Sequence, residues 1–168
     1  MNNRRIRKWI ALTLALALLM ITTIGCRQEK EPEKPPIDCL SYRGQSITPD
    51  SDVEALLSLL GDDYTLKEAE SCAGIGWDRI YQYPSLSLHV FASKSGEARI
   101  NLVKYTDDGA DHCGVRIGSS AEDVIATFGE ATFFEEDELS YRREGCLLTF
   151  MLRDGVVTGI ILQRTYPV

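Results

Sequence analysis

The chain has 168 residues, with 18 Lys and Arg against 25 Asp and Glu and a formal net charge of −7. That acidity excludes nucleic acid and an anionic membrane surface as electrostatic partners, because both call for a positive field. The length allows one ordinary domain or two very small ones.

The N-terminus reads as an export leader. Arg4, Arg5, Arg7 and Lys8 precede an apolar run, WIALTLALALLMITTI, over 9–24. A helix of that length rises about 24 Å, short of a hydrocarbon core of about 30 Å. A basic start, a short apolar centre and small residues at the break describe a cleavable signal peptide over 1–25. The break, TTIGC, resembles the bacterial lipobox, in which the Cys thiol is diacylated and becomes the new N-terminus; Thr23 stands where Leu is usual. The resemblance implies lipidation, a palmitate-bearing anchor, at Cys26 and a place on the extracytoplasmic face of the cell membrane. An ordinary secretory leader and a twin-arginine leader from Arg4-Arg5 are the alternatives.

Residues 26–38 read as the lipidated Cys followed by a tether: RQEKEPEKPPID is charged, holds three of the six prolines and has little to bury. Removing the leader leaves 14 Lys and Arg against 25 Asp and Glu, a formal −11. Four cysteines, Cys39, Cys72, Cys113 and Cys146, remain as candidate disulfide partners, with three possible connectivities that spacing does not decide. No two of them have the CxxC spacing of a redox or zinc site.

Internal self-similarity organises the rest. At an offset of 68, SDVEALLSLLGDD (51–63) lies on SSAEDVIATFGEA (119–131), matching Ser51 with Ser119, Glu54 with Glu122, Leu60 with Phe128 and Gly61 with Gly129. Each Ser with a Glu three residues on predicts a capping box. Val53, Leu56, Leu57 and Leu60, and again Ala121, Val124, Ile125 and Phe128, place one apolar stripe on a short helix. Each Gly then reads as a left-handed helix stop. At an offset of 59, LSLHVFASKSGEARINLV (86–103) matches GCLLTFMLRDGVVTGIIL (145–162), predicting hairpins that turn at Ser95-Gly96 and Asp154-Gly155. A strand precedes each, at 79–83 and 139–143, and 64–77 reads as an insertion in the first copy. The expected fold is therefore α+β: two tandem helix–β-meander (αβββ) units, 39–110 and 111–168, with helices packed on one face of antiparallel sheet. Gly118-Ser119-Ser120 is a helix start rather than a phosphate loop, since no GxxxxGK[ST] is present.

The Gly118-Ser119…Val124…Phe128-Gly129 pattern with the FMLRDGVVTG meander resembles the SmpA/BamE-like outer-membrane lipoproteins and the tandem β-lactamase-inhibitor protein (BLIP). SCAGIGWDRIYQY with GVRIGSSAEDVIATFG resembles a group of uncharacterised Gram-positive lipoproteins. The resemblance implies a fold and a location, and brings no activity. The inhibitor's within-unit disulfides do not map here, because Ser87 stands at the counterpart strand position of the first unit. A cross-repeat pairing, or one at the helix starts, is favoured over the inhibitor's own.

No catalytic constellation assembles. His112 beside Cys113 would point away from it on an extended segment, and His89 sits on a strand face with Phe91. DDGAD (107–111) lacks the ligand spacing of a calcium loop, and EEDE (135–138) reads as a polar turn. The expectation is no enzyme, metal or cofactor. Aromatic residues are the stronger lead: Trp77, Tyr81, Tyr83 and Tyr141, with Arg142, form a candidate partner-binding surface if they lie on the open side of the sheet. The expected role is a membrane-anchored, non-catalytic binding or scaffold module for a protein or peptide. The alternatives are a secreted-type enzyme inhibitor and a thiol-dependent envelope factor using Cys72 or Cys113.

Overall fold

The computed structural model describes residues 35–37, 40–107, 109–143 and 145–166; the leader, Cys26, most of the tether and Cys39 lie outside them. Lys34–Val168 is one compact unit. In chain order a hairpin of β1 (Leu40–Tyr42) and β2 (Gln45–Ile47) precedes α1 (Val53–Leu60). Four strands follow: β3 (Thr65–Glu70), β4 (Gly76–Gln82), β5 (Leu86–Ser93) and β6 (Ala98–Tyr105). A second hairpin, β7 (Ala110–His112) and β8 (Val115–Arg116), leads into α2 (Ala121–Phe128). The chain ends in β9 (Phe133–Glu135), β10 (Glu138–Arg143), β11 (Cys146–Arg153) and β12 (Val156–Arg164).

These strands form two antiparallel sheets. The small one runs β2-β1-β7-β8, and the large one runs β3-β4-β5-β6-β12-β11-β10-β9. The expected α+β arrangement of helix–three-strand units is overturned. The described chain is mainly β, with two eight-residue helices, and each helix is preceded by a hairpin and followed by four strands. Strands from the two stretches are pooled, the short hairpins in one sheet and the long strands in the other, joined where β6 pairs β12. The SmpA/BamE-like and BLIP-like description falls with it. The missed strands have physical reasons. β3, TLKEAE, is exposed along its whole length, so no apolar alternation marks it, and it falls within the expected insertion at 64–77. β1, β2, β7, β8 and β9 have two or three residues each, too few for a period to show.

Tight turns close the hairpins. Arg43-Gly44, Cys113-Gly114 and Asp154-Gly155 each have positive φ at both central residues, as a type I′ turn requires. Glycine avoids the Cβ clash at the second position, and its partner tolerates the first at modest cost.

One hydrophobic core lies between the large sheet, the helices and the small sheet. Leu88, Val103, Leu148, Ile160 and Leu162 from the large sheet join Leu40 and Ile47 from the small one, and Leu56, Val124 and Phe128 from the helices. Fully burying a side chain of this size stabilises by about 1.5–3 kcal/mol. Phe128 is the aromatic centre at α2, with Tyr141 and Phe150 rings each 5.4 Å away and His112 stacked at 5.3 Å.

The helix caps correct the sequence reading by one residue. Asp52, not Ser51, accepts from the Ala55 N–H at 2.7 Å. Ser120, not Ser119, forms the capping box with Asp123, not Glu122. Ser51 and Ser119 instead accept from Thr48 N and Arg116 N in the preceding turns. Gly61 and Gly129 do end the helices at φ 79°, yet with extended ψ rather than the left-handed helical value. Ile125, expected in the apolar stripe, is exposed.

Candidate functional site: the open face of the eight-stranded sheet

Alternation along each strand divides the large sheet into two faces. The helix-side face carries Tyr81, Leu88, Val103, Leu162, Leu148 and Tyr141, paired in register across six strands. This places the expected aromatic surface on the buried side. Tyr81 and Tyr83 are each 7% exposed and Tyr141 is 1% exposed. Tyr64 packs against both Tyr81 and Tyr83, with ring centroids at 5.1 and 5.4 Å. Desolvation and neighbouring groups push the Tyr83 phenol up to about 12, and burial raises that of Tyr141. Trp77 shares the parity of Tyr81 and is 39% exposed at the far end of β4. Of the five residues expected at a binding surface, only Arg142 stands on the open face. Its guanidinium lies 5.2 Å over the Phe133 ring.

The open face is built from two adjacent rows of side chains. One row is Lys67, Ile80, His89 and Leu102 over β3–β6, continuing over β12–β10 as Gln163, Leu147 and Arg142. The next is Thr65, Gln82, Ser87 and Lys104, continuing as Ile161, Thr149, Ser140 and Phe133. The helices and the small sheet bury their apolar side chains in the core opposite these rows. Within the second row Ser87, Thr149 and Ser140 are themselves buried, so the exposed surface is carried by their larger neighbours. A groove of about 320 Å³ opens along the first row, lined by Ile80, His89, Leu102 and Gln163, with Asp78, Arg79 and Arg164 supplying charge at its edge. Asn101, set where a register shift interrupts the β5–β6 pairing, helps form its rim. The Tyr166 hydroxyl donates to Asn101 Oδ1 at 2.9 Å there.

Two pairs of polar side chains on this face satisfy each other. The Ser140 and Thr149 hydroxyls share a 2.7 Å hydrogen bond. His89 Nε2 lies 3.0 Å from Ser87 Oγ. Partial burial lowers the His89 pKa below its ordinary 6.5, and the Lys104 charge adds to the effect. The neutral imidazole is thereby favoured, and the two rows present apolar area with neutral polar groups and three cations, with Asp78 and Arg99 in the row beside them. Nothing in the sequence patterning marked these two rows. Their residues alternate with the core residues, and which set faced outward was decided by the helices.

The remaining candidates are placed as follows. Cys72 is exposed in the β3–β4 turn, Cys113 is exposed in the β7–β8 turn, and Cys146 is buried with its Sγ donating to Ile37 O at 3.4 Å. His112 is buried and hydrogen-bonds through Nε2 to Pro36 O at 2.7 Å, so it packs into the core and fixes the start of the domain. Asp107 and Asp111 of the acidic loop accept from Gly109 N and Gly114 N respectively. Among the described residues no group of three or more His, Cys, Asp or Glu converges as a metal site. None of the described helices is long and apolar enough to cross a membrane.

No family model matches the chain. No curated protein matches it either. Among solved structures, an extracellular protein containing an SCP domain from Bacillus anthracis str. Ames is 14% identical, with a TM-score of 0.38. The alignment covers 82% of this chain and 49% of that one, so the chain spans about half its length. That similarity is too low to assign fold or function.

Proposed function

We propose that this protein is an extracytoplasmic, lipid-anchored and non-catalytic module that docks a protein or peptide on the open face of its eight-stranded sheet. The observation that carries the reading is that face. Half-buried apolar side chains, Ile80, Leu102, Leu147 and Ile161, lie in two adjacent rows on the side of the sheet opposite the core. A sheet offers such a surface with little backbone ordering on binding, the remaining cost falling on its long side chains. The leader and Cys26 supply the location, and the tether supplies reach from the membrane. The inhibitor alternative rested on a resemblance that the fold does not support, and it is not carried forward.

Two experiments test the reading. Metabolic palmitate labelling should mark the wild-type chain and not Cys26→Ser; equal labelling removes the anchor. Affinity capture from solubilised envelope should retain a partner on the wild type and lose it with Leu102→Asp plus Ile161→Asp. Retention of the same proteins by both would sink the open-face assignment. Tyr81→Ala and Tyr83→Ala are not suitable substitutes, since both rings are in the core.

A further inference from the structure

The charges on the open face differ from those of the rest of the molecule. In a chain of net charge −7, the two rows carry Lys67, Lys104 and Arg142 and not one carboxylate. None of these three has an ion-pair partner among the described residues. The ion pairs formed there, Arg43–Asp107, Arg79–Glu68, Lys94–Glu70, Arg116–Asp111 and Arg164–Asp50, all lie off the two rows. Carboxylates reach this side of the sheet only beyond the rows. Asp78 stands in the row next to Ile80, at the edge of the groove, where Arg99 two strands away offsets its charge; Glu138 and Glu135 stand at the diagonally opposite corner.

Spacing narrows the ligand. Lys67 and Lys104 are three strands apart, and so are Lys104 and Arg142. Each step between neighbouring strands is about 4.8 Å, so successive cations are separated by at least about 14 Å across the sheet. Duplex nucleic acid carries roughly one negative charge per 1.7 Å and calls for a far denser cationic stripe. Between these cations lie Ile80, Leu102, Leu147 and Ile161. Widely spaced cations set among apolar side chains match discrete carboxylates flanked by apolar residues.

We infer that the open face takes an acidic–apolar segment of a protein partner, its carboxylates paired with Lys67, Lys104 and Arg142 and its apolar side chains seated over Leu102 and Ile161. This rests on the proposed docking role of the face. The acidic corner at Glu138 and Glu135 disfavours other alignments of that segment, a repulsive contribution to specificity.

The test uses the full chain and three synthetic peptides of equal length. Leu and Phe alternate with Glu and Asp in the first, with Ser and Gln in the second and with Lys in the third. The acidic peptide should bind, and added salt should weaken it by about tenfold. Lys104→Glu combined with Arg142→Glu should weaken it by about tenfold or more, while the off-face variant Arg116→Glu leaves it unchanged. Matching circular dichroism and melting temperatures would show that the reversals fold. Equal binding of acidic and neutral peptides, unmoved by the reversals, overturns the acidic partner. If Leu102→Asp then abolishes that binding, docking on the face survives without it. No binding by any peptide, or binding only to phosphatidylglycerol vesicles, overturns the inference.

Discussion

The hydroxyl of Tyr141 donates to the carbonyl of Gly129 at 3.1 Å, tying β10 to the end of α2. Tyr83, just beyond β4, makes the same bond to Gly61 O at the end of α1, at 3.0 Å. Each bond satisfies a carbonyl that a helix end leaves without an intrahelical donor. The buried tyrosines therefore clamp the helices to the sheet. Tyr141→Phe and Tyr83→Phe should each cost about 1 kcal/mol, because the ring packing stays and one hydrogen bond goes. Denaturant unfolding measures this; no change for either variant would mean the bonds contribute nothing net.

Tyr105 presents the opposite case. Its hydroxyl is buried without a hydrogen-bond partner among the described residues, while its ring packs 4.9 Å from that of Tyr42. Burial drives its pKa up. Tyr105→Phe removes an unsatisfied polar atom and keeps the ring, so it should be neutral or stabilise by up to about 1 kcal/mol. A loss comparable to that of Tyr141→Phe in the same titration would contradict this.

Gly76 is packed too closely for a side chain. A Cβ there would overlap the Ala92 carbonyl oxygen, with Phe91 Cζ at 2.8 Å and Ser93 Cα at 2.9 Å. Gly76→Ala should destabilise by about 2–3 kcal/mol, since two of these neighbours are backbone of the paired strand. At Gly159 the nearest atom is the flexible Met151 Sδ at 3.2 Å, so Gly159→Ala should cost less. Thermal melts of the two variants compare them directly, and the reverse order would refute the packing argument.

His89 links the open face to pH. Its folded pKa lies below 6.5 through desolvation and Lys104, so the native state favours the neutral ring. The contribution is fully present above the unfolded pKa, and it is lost as pH falls from about 6.5 through the lower folded value. The stability gap between wild type and His89→Gln should therefore shift against wild type between pH 7.5 and 5. Parallel curves over that interval would show that His89 does not titrate differently on folding.

The caps give a local prediction. Asp123→Ala should cost about 1 kcal/mol by opening the bonds with Ser120, and Glu122→Ala, whose side chain makes no bond there, should cost little. Equal losses would restore the Ser119–Glu122 reading.

Much of the local structure was legible in order along the chain. The apolar stripes ending at Gly61 and Gly129 located α1 and α2, and the Gly96 and Gly155 turns located β5–β6 and β11–β12, because helix period, strand alternation and turn chemistry are properties of neighbouring residues. Arg43-Gly44 and Cys113-Gly114 were the overlooked signals of the short hairpins. The edge strand β3 left no such mark, since its pattern is set by the sheet it joins and not by burial of its own side chains. The choice between Ser119 and Ser120 as cap turned on one residue of register that both sequences of hydroxyl and acid allow. Pooling of the strands into two sheets was decided by pairings such as Ile160 with Tyr105, far apart in sequence. The same long-range packing settled the site. Tyr81 and Ile80 alternate on one strand, and only the helices covering the tyrosine side turned Ile80, His89 and Leu102 outward.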